Sequence, residues 1–126
     1  MPKVSKETSA RIEDVGIGTL SQDFIAGHEV SFLSFREAGD LAPLLKGLPD
    51  DLCSCPHWGY VSAGRITFTY RDGSSESFVA GDVFHVDPGH CPVTEPGTDV
   101  LFISPEDEVA VINAVIEANM AAMAAH

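Results

Sequence analysis

Cys53-Ser54-Cys55-Pro56-His57-Trp58-Gly59-Tyr60-Val61-Ser62-Ala63-Gly64 is the stretch on which the reading of this chain turns. Its first six residues hold two of the three cysteines, one of the five histidines and the only tryptophan. Side chains alternate along extended backbone, so Cys53, Cys55 and His57 are predicted to point to one side. Pro56 cannot donate to a ladder, which puts the segment at a strand start or a bulge. Gly59 removes a side chain beside the three and is expected to open room. Thiols together with imidazoles suit Zn²⁺ or Fe²⁺, whereas Mg²⁺ and Ca²⁺ take oxygen ligands. The competing reading is that the cysteines pack as small apolar residues.

A second stretch, Gly81-Asp82-Val83-Phe84-His85-Val86-Asp87-Pro88-Gly89-His90-Cys91, adds two histidines and the third cysteine. The two stretches are expected to face one pocket as partners, the second bringing His85 and, near its end, His90. Cys91 follows it directly and so is expected to point away and pack. His85 lies mid-strand, where it either packs or serves as a ligand or proton shuttle at the pocket. Tyr60, Phe68, Tyr70 and Trp58 read as core or pocket wall, because aromatics at strand period pack. His28 reads as structural or exposed.

Outward from these stretches the chain is a succession of short strands. Val30 to Phe35 is rich in residues that suit a pleated surface. Tyr60 to Ala63 runs to Gly64, and Arg65 to Arg71 alternates with Ile66, Phe68 and Tyr70 on one face. Asp72-Gly73 is a hairpin turn. Ser75–Val79, Val83–Val86, Val93–Thr94 and Val100–Ile103 continue the pattern between further turns. Glu37 to Asp51 is a turn-rich loop with one helical turn. The expectation is an all-β antiparallel barrel or sandwich.

Only the C-terminal segment departs from this. Ser104 reads as an N-cap, Pro105 as the first helical residue and Glu106 and Asp107 as first-turn acids. Val109, Ile112, Ile116, Met120 and Met123 then recur at helical spacing, predicting an amphipathic helix. The expected division is an N-terminal tail and edge segment over 1–20, a barrel over 21–104 and a helix over 105–126 packed on the barrel.

A ligand-bearing segment that runs into Tyr60–Gly64, a hairpin at Asp72-Gly73, and Gly81-Asp82 followed by Pro88-Gly89 together resemble the cupin superfamily over about residues 50 to 104. That resemblance implies a double-stranded β-helix (jelly-roll) cupin barrel with a C-terminal amphipathic α-helix. In the family's first motif, His-x-His, a Glu and a Gly follow one another. Counting back from Gly64 puts His57 at the Glu position, Cys53 at the second His and Asp51 at the first. In the second motif Asp87 replaces a proline, Gly89 matches, and Pro92 fills the usual histidine position, with His90 one strand period earlier. The implied site is therefore a metal pocket with altered ligands, Cys53, Cys55, His57 and His90. Gly59, Tyr60, Phe68, Tyr70 and His85 are expected around it. The implied cofactor is one divalent transition metal, zinc ahead of iron.

Composition bounds the remaining classes. The chain has 126 residues, 44% hydrophobic and 21% charged, which is one folded domain with a real core. A formal charge of −12, from 19 acidic and 7 basic residues, argues against nucleic acid and anionic lipid. No apolar run approaches the ~18 residues of a membrane helix. Residues 1 to 7 carry positive charge with no apolar core behind them, unlike a secretory signal. An odd number of cysteines fits free thiols in a reducing, cytoplasmic setting. The expected partner is a small-molecule ligand in the barrel, and the apolar helix face makes a homodimer plausible.

Three functions fit these residues. The first is a mononuclear metal site that binds or transforms a small molecule in the barrel. The second is a non-catalytic module that binds a small ligand or senses a metal. The third is a structural Cys₂His₂ zinc site, which has four protein ligands and no open position.

Overall fold

The computed structural model describes residues 3–124. Its strands are β1 (Arg11–Asp14), β2 (Gly18–Ile25), β3 (His28–Phe35), β4 (Gly39–Asp40), β5 (His57–Ala63) and β6 (Arg65–Tyr70). They continue as β7 (Ser75–Val79), β8 (Val83–Val86), β9 (His90–Thr94) and β10 (Thr98–Pro105), followed by the helix α1 (Glu106–Ala124). Two antiparallel sheets result, one of six strands in the order β1-β2-β3-β10-β5-β8 and one of four in the order β4-β9-β6-β7. The architecture is the all-β jelly-roll expected from the sequence, with one helix at its C-terminal end.

The period-two residues of β6 explain how the sheets close. Ile66 and Phe68 turn inward and meet Phe35, Val61, Phe84, Val86 and Val100 from the opposite sheet. Phe78 and Phe84 stack with ring centroids 4.7 Å apart. The turn that carries β5 into β6 depends on Gly64, whose φ of +76° is in the left-handed region open to glycine. The next amide, Arg65 N–H, donates to Thr98 Oγ1 at 3.1 Å.

A second core joins the helix to the barrel. Val109 and Ile112 of α1 pack with Leu45, Leu48, Cys53, Cys55 and Cys91. Asn119 Nδ2 donates to the carbonyls of Leu44 and Lys46 at 2.7 and 2.9 Å, tying α1 to the 3₁₀ turn Ala42–Leu45. No helix among the described residues is long and apolar enough to cross a membrane.

Several details differ from the sequence reading. The boundary drawn at residue 20 falls inside β2, and β1 already pairs with β2 from Arg11↔Gln22 to Asp14↔Thr19. The pattern of β2 hides it, because Ser21 and Gln22 are both buried and break the apolar alternation. At the other end, Ser104 and Pro105 belong to β10, and α1 begins at Glu106, whose N–H donates to the Gly27 carbonyl at 3.0 Å. Ser104 is thus a buried strand residue instead of an N-cap. The apolar stripe of α1 faces the barrel: Val109, Ile112, Ile116, Met120 and Met123 all line the cavity beneath it. The predicted helix residues 125 and 126 lie outside the described residues.

Candidate metal centre

The site is assembled by one short bridge between the two stretches. Cys53 N–H donates to the His90 carbonyl at 2.8 Å, and Gly89 N–H donates to the Cys53 carbonyl at 2.7 Å. His57 opens β5 and His90 opens β9, and the bridge joins Cys53 to His90, 37 positions apart in the chain. Among the described residues, the ligand atoms of Cys53, His57 and His90 lie within 4.8 Å of one another. Cys53 Sγ is 3.4 Å from His57 Nε2.

Each imidazole is held from behind. His90 Nδ1–H donates to the Asp87 carbonyl at 2.7 Å, which in a neutral ring leaves Nε2 as a bare lone pair. His57 Nδ1 is 2.7 Å from Ser104 Oγ, and its Nε2 is directed at Cys53. A metal-binding histidine is characteristically anchored in this way through its second nitrogen. The two rings meet edge-on with centroids 5.0 Å apart. Phe102 packs edge-on against His57 at 5.2 Å and Phe68 against His90 at 5.3 Å.

This apolar enclosure sets the protonation states. Burial, with His90 and His85 nearby, pushes the His57 pKa down to about 3, and burial lowers that of His90 as well. Burial pushes the Cys53 thiol up to about 11. The metal-free site therefore holds two neutral imidazoles and a thiol whose proton a cation must displace. One soft sulfur and two borderline nitrogens fit Zn²⁺, Fe²⁺ or a neighbouring transition metal.

All three residues line a cavity of about 610 Å³ walled by both sheets and by α1. Leu20, Leu33, Phe35, Ile66 and Phe68 supply much of its wall, and Glu29, Ser31 and Asn113 add polar groups. A space of this size suits a small molecule.

The other predicted site residues fall elsewhere. Cys55 is fully buried in the core under α1, with its Sγ 3.3 Å from the Pro56 carbonyl, and is not in the cluster. The alternation argument failed for it because residues 54 to 56 are not a strand. Burial pushes its thiol up to about 12, as it does for Cys91, which packs in the same core. Gly59 opens no room, since the Phe84 ring lies over it and a Cβ there would sit 2.6 Å from Cε1. Tyr60 is on the outer face, as is Trp58, which packs on His85 at 4.7 Å. His85 is partly exposed there, 3.7 Å from Asp87, and is not a pocket residue. Phe68 does line the cavity. Tyr70 packs at the edge of the barrel core and donates its hydroxyl to Glu76 at 2.6 Å. Asp51, at the family's first ligand position, turns away and accepts the Gly47 N–H at 2.9 Å.

Sequence reasoning missed Ser104, Phe102 and Glu29. The pairing Ser104↔Glu29 and the contact of Ser104 with His57 place Glu29, Ser104 and His57 in one row across β3, β10 and β5, and Phe102, two residues before Ser104 on β10, packs on His57. The signal for Glu29 was its spacing, since Glu29, Ser31, Leu33 and Phe35 share one face at period two.

No protein-family model and no curated protein matches the sequence. Solved structures do match its shape. An RmlC-like cupin from Shewanella frigidimarina is 21% identical, covers 81% of this chain and 88% of its own, and superposes with a TM-score of 0.55. The polyketide cyclase RemF from Streptomyces resistomycificus is 18% identical over 84% of this chain and 80% of its own, with a TM-score of 0.58. KdgF from Halomonas sp. is 20% identical over 75% and 86%, with a TM-score of 0.54. The strand order, the cavity walled by both sheets and α1 and these three likenesses together make the chain a small protein of the cupin fold.

Proposed function

We propose that this protein binds one divalent transition metal, zinc ahead of iron, through Cys53 Sγ, His57 Nε2 and His90 Nε2, beside a cavity that holds a small molecule. The observation that carries the reading is the double anchoring of the imidazoles. Both Nδ1 atoms are engaged by oxygens, and three ligand atoms converge within 4.8 Å on the wall of an apolar cavity. A packing role for Cys53 does not call for one imidazole directed at its sulfur and a second neutral one within 4.8 Å.

Three protein ligands favour a working site over a structural one, which takes four. When bound, such a metal supplies a Lewis acid with a position left for solvent or ligand. The residues around it do the rest. Ser104 and the Asp87 carbonyl orient the imidazoles, Phe68 and Phe102 exclude water, and the apolar wall receives the ligand's body. The cupin neighbours add a fold that accommodates small molecules, and the polyketide cyclase shows that one of them is an enzyme.

Metal analysis tests the reading. Protein equilibrated with Zn²⁺ or Fe²⁺ and then desalted is expected to retain about one metal per chain. Cys53→Ser and His57→Ala are expected to lose it. A folded wild-type chain that retains no stoichiometric metal would overturn the proposal, and a cobalt-substituted spectrum of four protein ligands would return the site to a structural role.

A further inference from the structure

Glu29 is a carboxylate buried to 4% exposure on the cavity wall. Ser31 Oγ donates to its Oε1 at 2.7 Å and Asn113 Nδ2 donates to its Oε2 at 2.6 Å. Both donors are neutral. Among the described residues no basic side chain forms an ion pair with it. Arg11, the arginine that reaches this end of the cavity, is engaged by Glu13 and Glu117.

A buried charge is normally paired with an opposite charge or bound to a metal, because two neutral hydrogen bonds do not replace its hydration. Here the carboxylate is oriented from both sides, and no basic side chain among the described residues supplies its opposite charge. Each carboxylate oxygen can accept beyond the single bond it now makes. Besides these groups and the polar Gln22, Arg11 and Glu117, the cavity wall is largely apolar, with Leu20, Leu33 and Ile116 among its residues.

Position adds a second constraint. Glu29 is the cross-strand partner of Ser104, and Ser104 bonds His57, so Glu29 stands two strands from His57 on the same wall. Adjacent strands are about 4.8 Å apart, which sets the two backbones roughly 10 Å apart. A molecule of several heavy atoms fits between them.

We infer that the cavity takes an organic ammonium ion with an apolar body, and that Glu29 is its counter-ion. Ser31 and Asn113 hold the carboxylate toward the ligand, and Asn113 links ligand binding to the seating of α1. The strongly acidic chain, at −12, favours the approach of such a cation. The inference rests on the reading of the cavity as a ligand site and adds its substrate class.

Calorimetric titration with hexylamine and with 1-hexanol, on wild-type protein and on Glu29→Gln, tests it. Hexylamine is expected to bind the wild type about tenfold or more tighter than hexanol, as a buried charge-assisted contact allows. Glu29→Gln, which can still bond Ser31 and a flipped Asn113, is expected to lose that preference and to bind hexanol as the wild type does. Equal affinities of the two compounds for the wild type overturn the inference without any variant, as does full amine affinity in folded Glu29→Gln. Zinc content measured on the same samples separates the readings. Metal retention without amine preference removes only this inference, and amine binding without metal removes only the metal centre.

Discussion

His57 Nδ1 and Ser104 Oγ stand 2.7 Å apart across β5 and β10, and that contact decides which edge of the imidazole faces Cys53. Ser104 is buried, so the hydroxyl has no water to prefer over the ring. One serine thereby fixes a histidine on an apolar wall with its Nε2 toward Cys53.

Removing that hydroxyl should loosen the metal before it loosens the fold. Ser104→Ala is expected to weaken zinc affinity about tenfold, the usual effect of losing a group behind a metal-bound histidine. The stability cost is expected to be about 1 kcal/mol, one hydrogen bond. Competition against a chromophoric chelator gives the first quantity and urea unfolding the second. Unchanged affinity would show that Phe102 and the backbone orient His57 unaided.

The two neighbouring cysteines should behave differently. Cys55→Ala is expected to keep the metal and to lose about 1 kcal/mol of stability, since it only removes a sulfur from the core under α1. Cys53→Ala is expected to abolish stoichiometric binding. Equal metal loss in both variants would mean that Cys55 reorients into the site.

Metal-free protein should become less stable in mild acid. His57 has a folded pKa of about 3 against an ordinary 6.5, so the unfolded chain takes up the proton first. Its contribution is complete above about pH 6.5 and is lost as the pH falls toward 3. Between pH 7.5 and 5 this one residue is expected to cost about 2 kcal/mol. Urea midpoints of chelator-treated wild type and His57→Phe across that range measure it. A slope as steep in the variant as in the wild type would assign the acid sensitivity to other groups.

Gly59→Ala probes the roof of the barrel core. The Phe84 ring occupies the space a methyl group needs, so the substitution is expected to destabilise by about 1–3 kcal/mol. Phe84→Leu combined with it is expected to recover part of that loss. A neutral Gly59→Ala on thermal unfolding would show that the ring moves aside freely.

The strands were legible because their information is local. Ser75–Val79 and Val83–Val86 were bounded correctly by turn residues at each end, and the inward side chains of β6 followed from its alternation. The helix was legible as a stripe from Val109 to Met123. Its start was not, because Ser104-Pro105-Glu106 is an equally good N-cap and strand end until β3 pairs with Ser104.

Half of the site was legible for a different reason. Residue chemistry and the cupin resemblance pointed to Cys53, Cys55, His57 and His90, of which the structure brings Cys53, His57 and His90 together. Cys55 and His85 shared that chemistry, and nothing local distinguishes them from the three. The path of residues 54 to 56 sends Cys55 into the core, and strand alternation in β8 sends His85 outward.

The amino-acid sequence by itself determined the strand periodicity, the turns and the supply of reactive side chains, since each depends on neighbours within a few residues. Tertiary structure alone decided which side chains meet. The Cys53–His90 bridge, the Ser104 contact with His57 and the Glu29–Asn113 bond join residues 37, 47 and 84 positions apart. Only sheet pairing and helix docking bring such residues within the few ångströms at which a hydrogen bond or a metal bond forms.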